Sequence, residues 1–275
     1  VYVKLYNLVY YDVGGESFSG THADGYPMDH NNGYVTHLKV PTKVGYEFLG
    51  WYTDSECSGT PITSLSEDAI YHSDIILYAK WEAAEFGYIA NADKTEYTIT
   101  IGAAGLTNMN VTLPSTYKGK PVTGIAERAF EESGITSIAI PSSVKEIGNR
   151  VFFGCANLTT VSFATNSQLI SIGDYAFSGC SNLEAIQLPN LLESIGNIAF
   201  YNCTSLTNLT MGNRVTTIGS RAFHNCSALT SLDLSNTLTT IGNQAFVNCT
   251  GLQSIVIPWN VTTMGRRMFL RWTSD

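Results

Sequence analysis

The sequence predicts a solenoid of short parallel strands, preceded by a small α+β domain. A segment containing Ala-Phe-x-x-Cys recurs through the last half of the chain, and its phenylalanines are 22, 25, 23, 23, 23 and 23 residues apart. A nearly constant period of this size is typical of stacked repeats that share one core. The first 82 residues lack the period and are rich in aromatic and β-branched residues. The repeat phenylalanines are Phe130, Phe152, Phe177, Phe200, Phe223, Phe246 and Phe269.

The composition is that of a globular protein, with 44% hydrophobic and 14% charged residues. The net charge of −8 is uneven, because residues 1–82 contain 4 Lys/Arg and 11 Asp/Glu whereas residues 83–275 contain 11 and 12. An acidic first part beside nearly neutral repeats argues against a nucleic-acid partner. No apolar run approaches the roughly 18 residues of a membrane span. The opening residues include no Met and no signal-peptide core, so we expect a mature or excised piece.

Each repeat predicts a short strand whose side chains alternate between core and solvent. In the copy that starts at Leu206, the apolar residues fit Leu-x-x-Leu-x-Leu, so Leu209 and Met211 should face the core. After a turn, Ile218-Gly219 returns the chain to the core. The residues between the inward positions should form one outward face. These pairs are Ser137/Ala139, Thr160/Ser162, Ala185/Gln187, Asn208/Thr210, Ser231/Asp233 and Ser254/Val256.

The residues after each Ile-Gly pair predict a one-turn helix. Polar residues that cap helices stand at its start, and their side-chain oxygens should accept hydrogen bonds from the turn that follows. Glycine or asparagine, which tolerate the left-handed conformation that ends a helix, stand at its end. The starting residues are Asn149, Asp174, Asn197, Ser220 and Asn243, and the final residues are Gly154, Gly179, Asn202, Asn225 and Asn248.

Five of the six cysteines occupy one column of the repeat, three residues after the phenylalanine. An odd number in one column cannot all pair, and a spacing of 23 to 25 residues does not fit a local zinc motif. We therefore predict buried free thiols that act as small apolar side chains. They are Cys155, Cys180, Cys203, Cys226 and Cys249.

The pattern Ile-Gly-x-x-Ala-Phe-x-x-Cys-x-x-Leu over about residues 122–268 resembles the BspA-like leucine-rich repeats of bacterial surface proteins. The resemblance implies a leucine-rich repeat solenoid of short parallel strands plus one-turn helices. The first copy departs from it, with Ala126 for glycine and Ser133 for cysteine. The last copy lacks a cysteine and a closing strand after Phe269, so we expect a divergent cap or a truncated product at that end.

Two motifs in the first part resemble the Listeria–Bacteroides repeat, also called the internalin B-type repeat. They are Gly-Tyr-x-Phe-x-Gly-Trp-Tyr at residues 45–52 and Leu-Tyr-Ala-Lys-Trp at residues 77–81. The resemblance implies a small, β-grasp-like spacer domain of bacterial surface proteins. The residue pattern itself predicts strands at 6–13, 34–40 and 75–81, a turn at Gly14-Gly15 and a short helix at about 64–70.

We expect three parts in the chain. Residues 1–82 form the Listeria–Bacteroides repeat-like β-grasp domain, residues 83–122 form a linker and the N-terminal cap of the solenoid, and residues 123–275 form the BspA-like repeats. Within the cap, residues 96–101 alternate as a strand, and residues 110–114 are its predicted partner.

No catalytic site is predicted. The only acids near the outward face are Glu184 and Asp233, two repeats or about 10 Å apart, too far for acid–base catalysis of one substrate. The single histidine of the repeats, His224, has no nucleophile beside it in the motif. We predict neither an enzyme nor a cofactor.

A divalent metal is possible in the first part, because an insert holds carboxylates and imidazoles together. Their spacing matches no calcium or zinc motif, so a solvated acidic loop is the favoured interpretation and no metal site is predicted. The residues are His22, Asp24, Asp29 and His30.

The position that follows the capping residue is arginine in several repeats, and stacking of the repeats aligns these residues in an interrupted column. Such a column could bind an acidic glycan or protein. A solvated face that keeps the protein soluble is the favoured interpretation. The column reads Arg128, Arg150, Tyr175, Ile198, Arg221, Gln244 and Arg267.

The outward face of the strands is where a solenoid binds its partner. What the resemblance implies is adhesion, from the bacterial cell surface, to host extracellular-matrix or cell-surface proteins or to other microbes. The alternatives are a glycan-binding module of a surface polysaccharide system and a pure structural spacer in a longer protein. Glycan binding by the first part would need exposed aromatic rings, so burial of Trp51 and Trp81 would count against it. The predicted binding residues are Thr160, Ser162, Gln187, Asn208, Thr210 and Asp233.

Overall fold

The computed structural model describes residues 5–13, 16–21 and 27–269. Within these ranges the regular structure consists of 21 β-strands, and there is no α-helix. The chain divides into two compact units, residues 1–87 with 102–105 and residues 88–101 with 106–275. The three-part division at residues 82 and 122 stays a prediction.

The first unit is built on a four-stranded mixed sheet. The strands of the unit are β1 (Leu5–Asp12), β2 (Asp29–Asn31), β3 (Thr36–His37), β4 (Tyr46–Tyr52), β5 (Ser64–Leu65) and β6 (Ile75–Ala83). The sheet has the order β2-β1-β6-β4, in which the central pair β1 and β6 is parallel and the outer pairs are antiparallel, while β3 and β5 form a separate ribbon. Leu8, Trp51, Leu65 and Leu77 are at most 3% exposed and form its core.

Two sequence predictions for the first unit are corrected. The strand predicted over residues 34–40 is reduced to β3, and the helix predicted over residues 64–70 is absent. Leu65 instead pairs with Thr36 in an extended conformation and places its side chain in the core. Ser66 Oγ accepts the N–H of Asp68 at 3.1 Å, which closes a turn instead of starting a helix. The Gly14-Gly15 turn lies outside the described residues.

The second unit is a solenoid of two sheets, in which the strands of successive repeats are parallel. One sheet contains β9 (Asn110–Thr112), β12 (Ser137–Ile140), β14 (Thr160–Phe163), β16 (Ala185–Gln187) and β18 (Asn208–Thr210) in chain order. The other sheet contains β7 (Phe86–Ala90), β8 (Tyr97–Ile101), β10 (Thr116–Tyr117), β11 (Lys120–Ile125), β13 (Glu146–Ile147), β15 (Ser171–Ile172), β17 (Ser194–Ile195), β19 (Thr217–Ile218), β20 (Thr240–Ile241) and β21 (Thr263–Met264). In this sheet β10 is antiparallel to its neighbour, β11.

Equivalent residues of successive repeats lie opposite each other, as in the parallel pairing of Thr160 with Ala185 and of Ala185 with Asn208. The predicted parallel strands are thereby confirmed. The predicted pairing of residues 96–101 with residues 110–114 is wrong, because β8 pairs with β11 and β9 pairs with β12. From β11 to β19 the chain alternates between the two sheets, so each turn of the solenoid there contributes one strand to each sheet.

The core is a set of ladders of identical side chains. The rings of Phe177, Phe200 and Phe223 are fully buried and stack with centroids 5.1 and 5.3 Å apart. The thiol of Cys203 donates a hydrogen bond to the carbonyl oxygen of Phe177 at 3.2 Å. All six cysteines are free and buried, which confirms the prediction for the cysteine column. Ser133, where the first copy lacks cysteine, has its Oγ 3.4 Å from Cys155 Sγ and continues the ladder.

The one-turn helices are absent, and this corrects the predicted fold. The N–H groups of Ile198, Phe200 and Asn202 donate to carbonyl oxygens of the next repeat at 2.7 to 3.0 Å. In a helix they would donate to carbonyls four residues earlier in their own repeat. The final residues of the turns are left-handed, as predicted, and Asn202 has φ of 59°. A second left-handed residue follows each capping position, at Arg128, Arg150, Tyr175, Ile198, Arg221, Gln244 and Arg267.

The capping side chains connect repeats instead of closing their own turn. Asn197 Oδ1 accepts the N–H of Ser220 at 2.8 Å, and Asp174 Oδ1 accepts the N–H of Asn197 at 2.6 Å. The glycine of the next repeat permits this close approach, because a Cβ added to Gly219 would lie 2.5 Å from the Asn197 nitrogen. The side-chain oxygens accept backbone N–H groups, as predicted. The prediction of the donor is wrong, because the N–H groups belong to the next repeat and not to the turn that follows in the same repeat.

Candidate interaction face

The outward residues of the first solenoid sheet form one continuous face, which is exposed from Thr160 to Thr210. Thr160, Ala185 and Asn208 lie in one row, and an isolated bridge from Asn208 extends this row to Ser231. Neighbouring strands are about 4.8 Å apart, so residues along a row contact each other. All six predicted binding residues are exposed. They are Thr160, Ser162, Gln187, Asn208, Thr210 and Asp233.

Several side chains of this face are free to bind a partner. In the part of the chain that the structure describes, the side chains of Gln187, Thr210 and Asp233 make no hydrogen bond. Ser162 Oγ has only a long contact of 3.4 Å with the Ile138 carbonyl oxygen. The amide of Asn208 is 3.5 Å from Thr207 Oγ1, which is also a weak contact. The face therefore offers unsatisfied donors and acceptors without a rearrangement of the fold.

A groove of about 740 Å³ opens beside Ser162 and Gln187. Its lining also includes Phe163, Asn166 and Leu191, and no lining residue is charged. Phe163 and Leu191 are half-buried, so the groove combines apolar surface with amide and hydroxyl groups. A partner could insert side chains into this groove instead of lying flat on the face.

The groove exists because one loop is longer than its equivalents. Five residues, 164–168, separate Phe163 from the buried Leu169 in this repeat. Only three residues, 189–191, separate the equivalent Leu188 and Leu192 in the next repeat. Asn166 turns the loop with φ of 60°, and the N–H of Gln168 donates to the Ser142 carbonyl oxygen at 3.0 Å. Sequence reasoning missed Phe163, Asn166 and Leu191. The signal that could have located them is the 25-residue step from Phe152 to Phe177.

Glu184, Asp233 and His224 do not assemble into a reactive group. Glu184 and Asp233 are both exposed. The ring of His224 stacks on Tyr201 with centroids 5.0 Å apart, and burial together with the positive charge of Arg221 lowers the pKa of His224. His224 is therefore a packed turn residue, and its neutral form is favoured.

The possible metal ligands of the first unit are only partly described. His22 and Asp24 lie outside the described residues, while Asp29 and His30 belong to β2. His30 is 1% exposed, its Nδ1 is 2.8 Å from Thr36 Oγ1, and burial lowers its pKa. Within residues 5–13, 16–21 and 27–269 no three His, Cys, Asp or Glu side chains come together as metal ligands.

The tryptophans of the first unit are engaged by the protein itself. Trp51 is 2% exposed, and its indole N–H donates to the Lys39 carbonyl oxygen at 2.9 Å. Trp81 is half-buried, packs edge-on against Phe48 and donates to Asp12 Oδ1 at 2.8 Å. These contacts count against sugar stacking by the two rings. A helix able to cross a membrane is not found among the described residues.

Comparison with known proteins identifies both units. The family model of the BspA type leucine rich repeat region matches residues 96–171 and 162–274, and that of the Listeria-Bacteroides repeat domain matches residues 6–80. No curated protein matches the chain. Both families are typical of bacterial surface proteins, and leucine-rich repeat proteins of this kind are generally not enzymes.

The solenoid resembles crystal structures of other leucine-rich repeat proteins. A leucine-rich repeat protein of T. pallidum is 31% identical with a TM-score of 0.60, over 66% of this chain and 83% of that chain. The pneumococcal vaccine antigen PcpA is 30% identical with a TM-score of 0.53, over 64% of this chain and 49% of that chain, so the match spans about half of the antigen. From the family matches and the parallel two-sheet solenoid, the chain belongs to the BspA-type leucine-rich repeat family and carries a Listeria–Bacteroides repeat domain ahead of its repeats.

Proposed function

We propose that this protein is a non-catalytic adhesion module at the bacterial cell surface, which binds a segment of another protein along the outward strand face. The partner would be a host extracellular-matrix or cell-surface protein, or a surface protein of another microbe. The observation that supports this most directly is the uncharged groove of about 740 Å³ beside Ser162 and Gln187. The proposed contact residues are Thr160, Ser162, Gln187, Asn208, Thr210 and Asp233.

The chemistry of the groove favours a polypeptide. Amides such as those of Gln187 and Asn166 both donate and accept hydrogen bonds, which suits the alternating N–H and C=O groups of an extended peptide. Phe163 and Leu191 add apolar surface for one of its side chains. The lining contains no acid or base, so acid–base catalysis at this place has no candidate group.

The solenoid behind the face also favours binding. Its phenylalanine and cysteine ladders are fully buried from Phe177 to Phe223, so the strands are held before a partner arrives. A pre-organised surface loses less conformational entropy on association than a flexible one. The two families, being typical of bacterial surface proteins, support an extracellular location.

The experiment is binding of the full chain to a panel of matrix proteins, mucins and glycans. The variant Thr160→Glu with Thr210→Glu places two charges on the face and should abolish binding to a protein of the panel. The matched control, Thr204→Glu with Thr250→Glu, adds the same charge at exposed turn residues away from the groove and should retain binding. Equal loss in both variants would contradict the assigned face. Binding only to glycans would favour the glycan-binding module of a polysaccharide system. A lack of binding to every member of the panel would favour the structural spacer.

A further inference from the structure

The arginines of the column after the capping residues differ between the two ends of the solenoid. At the N-terminal end, Arg128 Nε lies 3.5 Å from Glu127 and 3.7 Å from Glu131, and Arg150 Nε donates to Glu131 at 3.0 Å. The Arg150 guanidinium also packs 4.3 Å above the ring of Phe153. The positive charge is therefore compensated by the protein at this end.

At the C-terminal end the same column is uncompensated. Arg221, Arg266 and Arg267 are exposed and line a groove of about 500 Å³ across the turns of successive repeats. None of them pairs with an acid in the described part of the chain. Arg221 Nε donates to Gln244 Oε1 at 2.6 Å, which orients the guanidinium without neutralising it.

The charge balance of this region is the reverse of that of the whole chain. Residues 194–269 contain four arginines and one aspartate, a net charge of +3 in a chain of net charge −8. The one aspartate, Asp233, belongs to the outward strand face and does not line the groove. A concentration of one sign of charge in a concave site raises the local concentration of a ligand of the opposite sign.

The repeat geometry aligns the cations in a row. Arg221 and Arg267 occupy the same slot two repeats apart, which corresponds to about 10 Å along the solenoid. Both have left-handed backbones, with φ of 55° and 56°, and so does Gln244 between them at 57°. Identical backbone conformations direct the side chains in parallel, so the groove presents regularly spaced donors to a linear ligand. A guanidinium is suited to sulfate and carboxylate groups, which it binds through two parallel hydrogen bonds.

We propose that the groove formed by Arg221, Arg266 and Arg267 binds an anionic polysaccharide, a chain of sulfated or uronate sugars. The remaining lining suits sugar hydroxyls, because the side-chain hydroxyl of Ser220 and the side-chain amide nitrogen of Asn243 make no hydrogen bond to the described part of the chain. The lining contains no aromatic ring on which a nucleobase could stack. This site is separate from the strand face and does not depend on the function proposed for it.

The test uses the full chain and immobilised heparin, which contains both sulfate and uronate groups. Arg221→Gln with Arg267→Gln should weaken binding at least 10-fold, whereas the matched control Arg128→Gln with Arg150→Gln should change it less than 2-fold. Both variants remove two positive charges from the same column, and glutamine occupies this slot natively at Gln244. Thermal melting of both variants verifies that they fold.

Further probes identify the ligand chemistry. Dextran sulfate offers only sulfate and polygalacturonate only carboxylate, so binding of either supports the proposal and names the anion. Affinity for heparin should fall as salt is raised, because the contacts are exposed and ionic. Equal loss of affinity in the two double variants would overturn the proposal, since net charge alone would then explain binding. Equal or tighter binding of polyglutamate or single-stranded DNA would also overturn it, in favour of an acidic protein or a nucleic acid.

Discussion

Replacing Asn197 by alanine tests whether the capping side chains hold successive repeats together. Asn197 Oδ1 accepts the N–H of Ser220 at 2.8 Å, and its Nδ2 lies 3.2 and 3.3 Å from the two carboxylate oxygens of Asp174. Alanine removes both contacts at once. It leaves the N–H of Ser220 without its acceptor in the described part of the chain.

The expected loss of stability follows from these two contacts. A neutral hydrogen bond contributes about 0.5–1.5 kcal/mol net, and one to a charged group contributes about 1.5–3 kcal/mol. Asn197 is exposed, so water replaces part of each bond and the lower values apply. No large cavity forms because the side chain is on the surface. We expect a decrease of about 1–2 kcal/mol in the free energy of unfolding.

Urea unfolding followed by circular dichroism measures this loss as a lower midpoint at an unchanged m-value. The control is Asn182→Ala, because Asn182 is exposed and makes no hydrogen bond in the described part of the chain. Its effect should stay within about 0.5 kcal/mol of zero, as for most surface substitutions. If Asn197→Ala costs no more than the control, the backbone hydrogen bonds alone hold the turns together, and the role given to the capping side chains is wrong.

Other substitutions and conditions probe the core and the turns. Burial raises the pKa of Cys203 well above its ordinary 9.0 and that of Cys249 to about 12, so a thiol reagent should label them only after unfolding. The pKa of these thiols is higher in the folded than in the unfolded state, so their contribution to stability is complete below about pH 9. The free energy of unfolding should fall as the pH rises from about 9 toward 12, and urea midpoints measured across this range would detect the decrease. Phe200→Ala empties a fully buried slot between two rings and should cost about 3–5 kcal/mol in urea unfolding. Ile198→Asn should stabilise by about 1 kcal/mol, because a β-branched residue is strained in the left-handed region, and a lower melting temperature would count against this strain.

The repeat architecture was predictable because every buried slot of the repeat is chemically restricted. The spacing of the phenylalanines and cysteines indicates the period. The alternation of apolar and polar residues around Leu209 predicts which side chains face the core. The free, buried thiols followed from their odd number and wide spacing. These features depend on residue type and spacing alone, which a sequence displays directly.

The conformation of the turns was not predictable from local sequence. Asn197 and Asn202 are good helix start and stop residues, and a capped helical turn is the local solution that they favour. The actual hydrogen-bond partners of these turns lie in the next repeat, 22 residues away for the N–H of Ile198. The slot of Ile198 holds arginine, tyrosine, isoleucine or glutamine in different repeats, so composition gave no sign of its left-handed backbone.

The first turn of the solenoid was misassigned for a related reason. Residues 96–101 and 110–114 are predicted to pair because they are neighbours in sequence, but β8 and β9 within them each pair with a strand of the next turn. The recognisable Ile-Gly and Cys positions are absent before Val122, so the segment could not be aligned with the later repeats. Its strands nevertheless extend both sheets, because β9 continues the first sheet and β8 and β7 continue the second.

In a solenoid, departures from the period are more informative about binding than the period itself. Core slots must repeat because each one packs against its own copies, as the stacked rings from Phe177 to Phe223 show. An outward slot has no such restriction, so a change confined to one or two repeats is not required by the fold. The long loop at residues 164–168 creates the uncharged groove, and the loss of acidic partners between Arg150 and Arg221 creates the cationic one. The two proposed sites therefore lie where the sequence departs from the repeat and the fold does not require the departure.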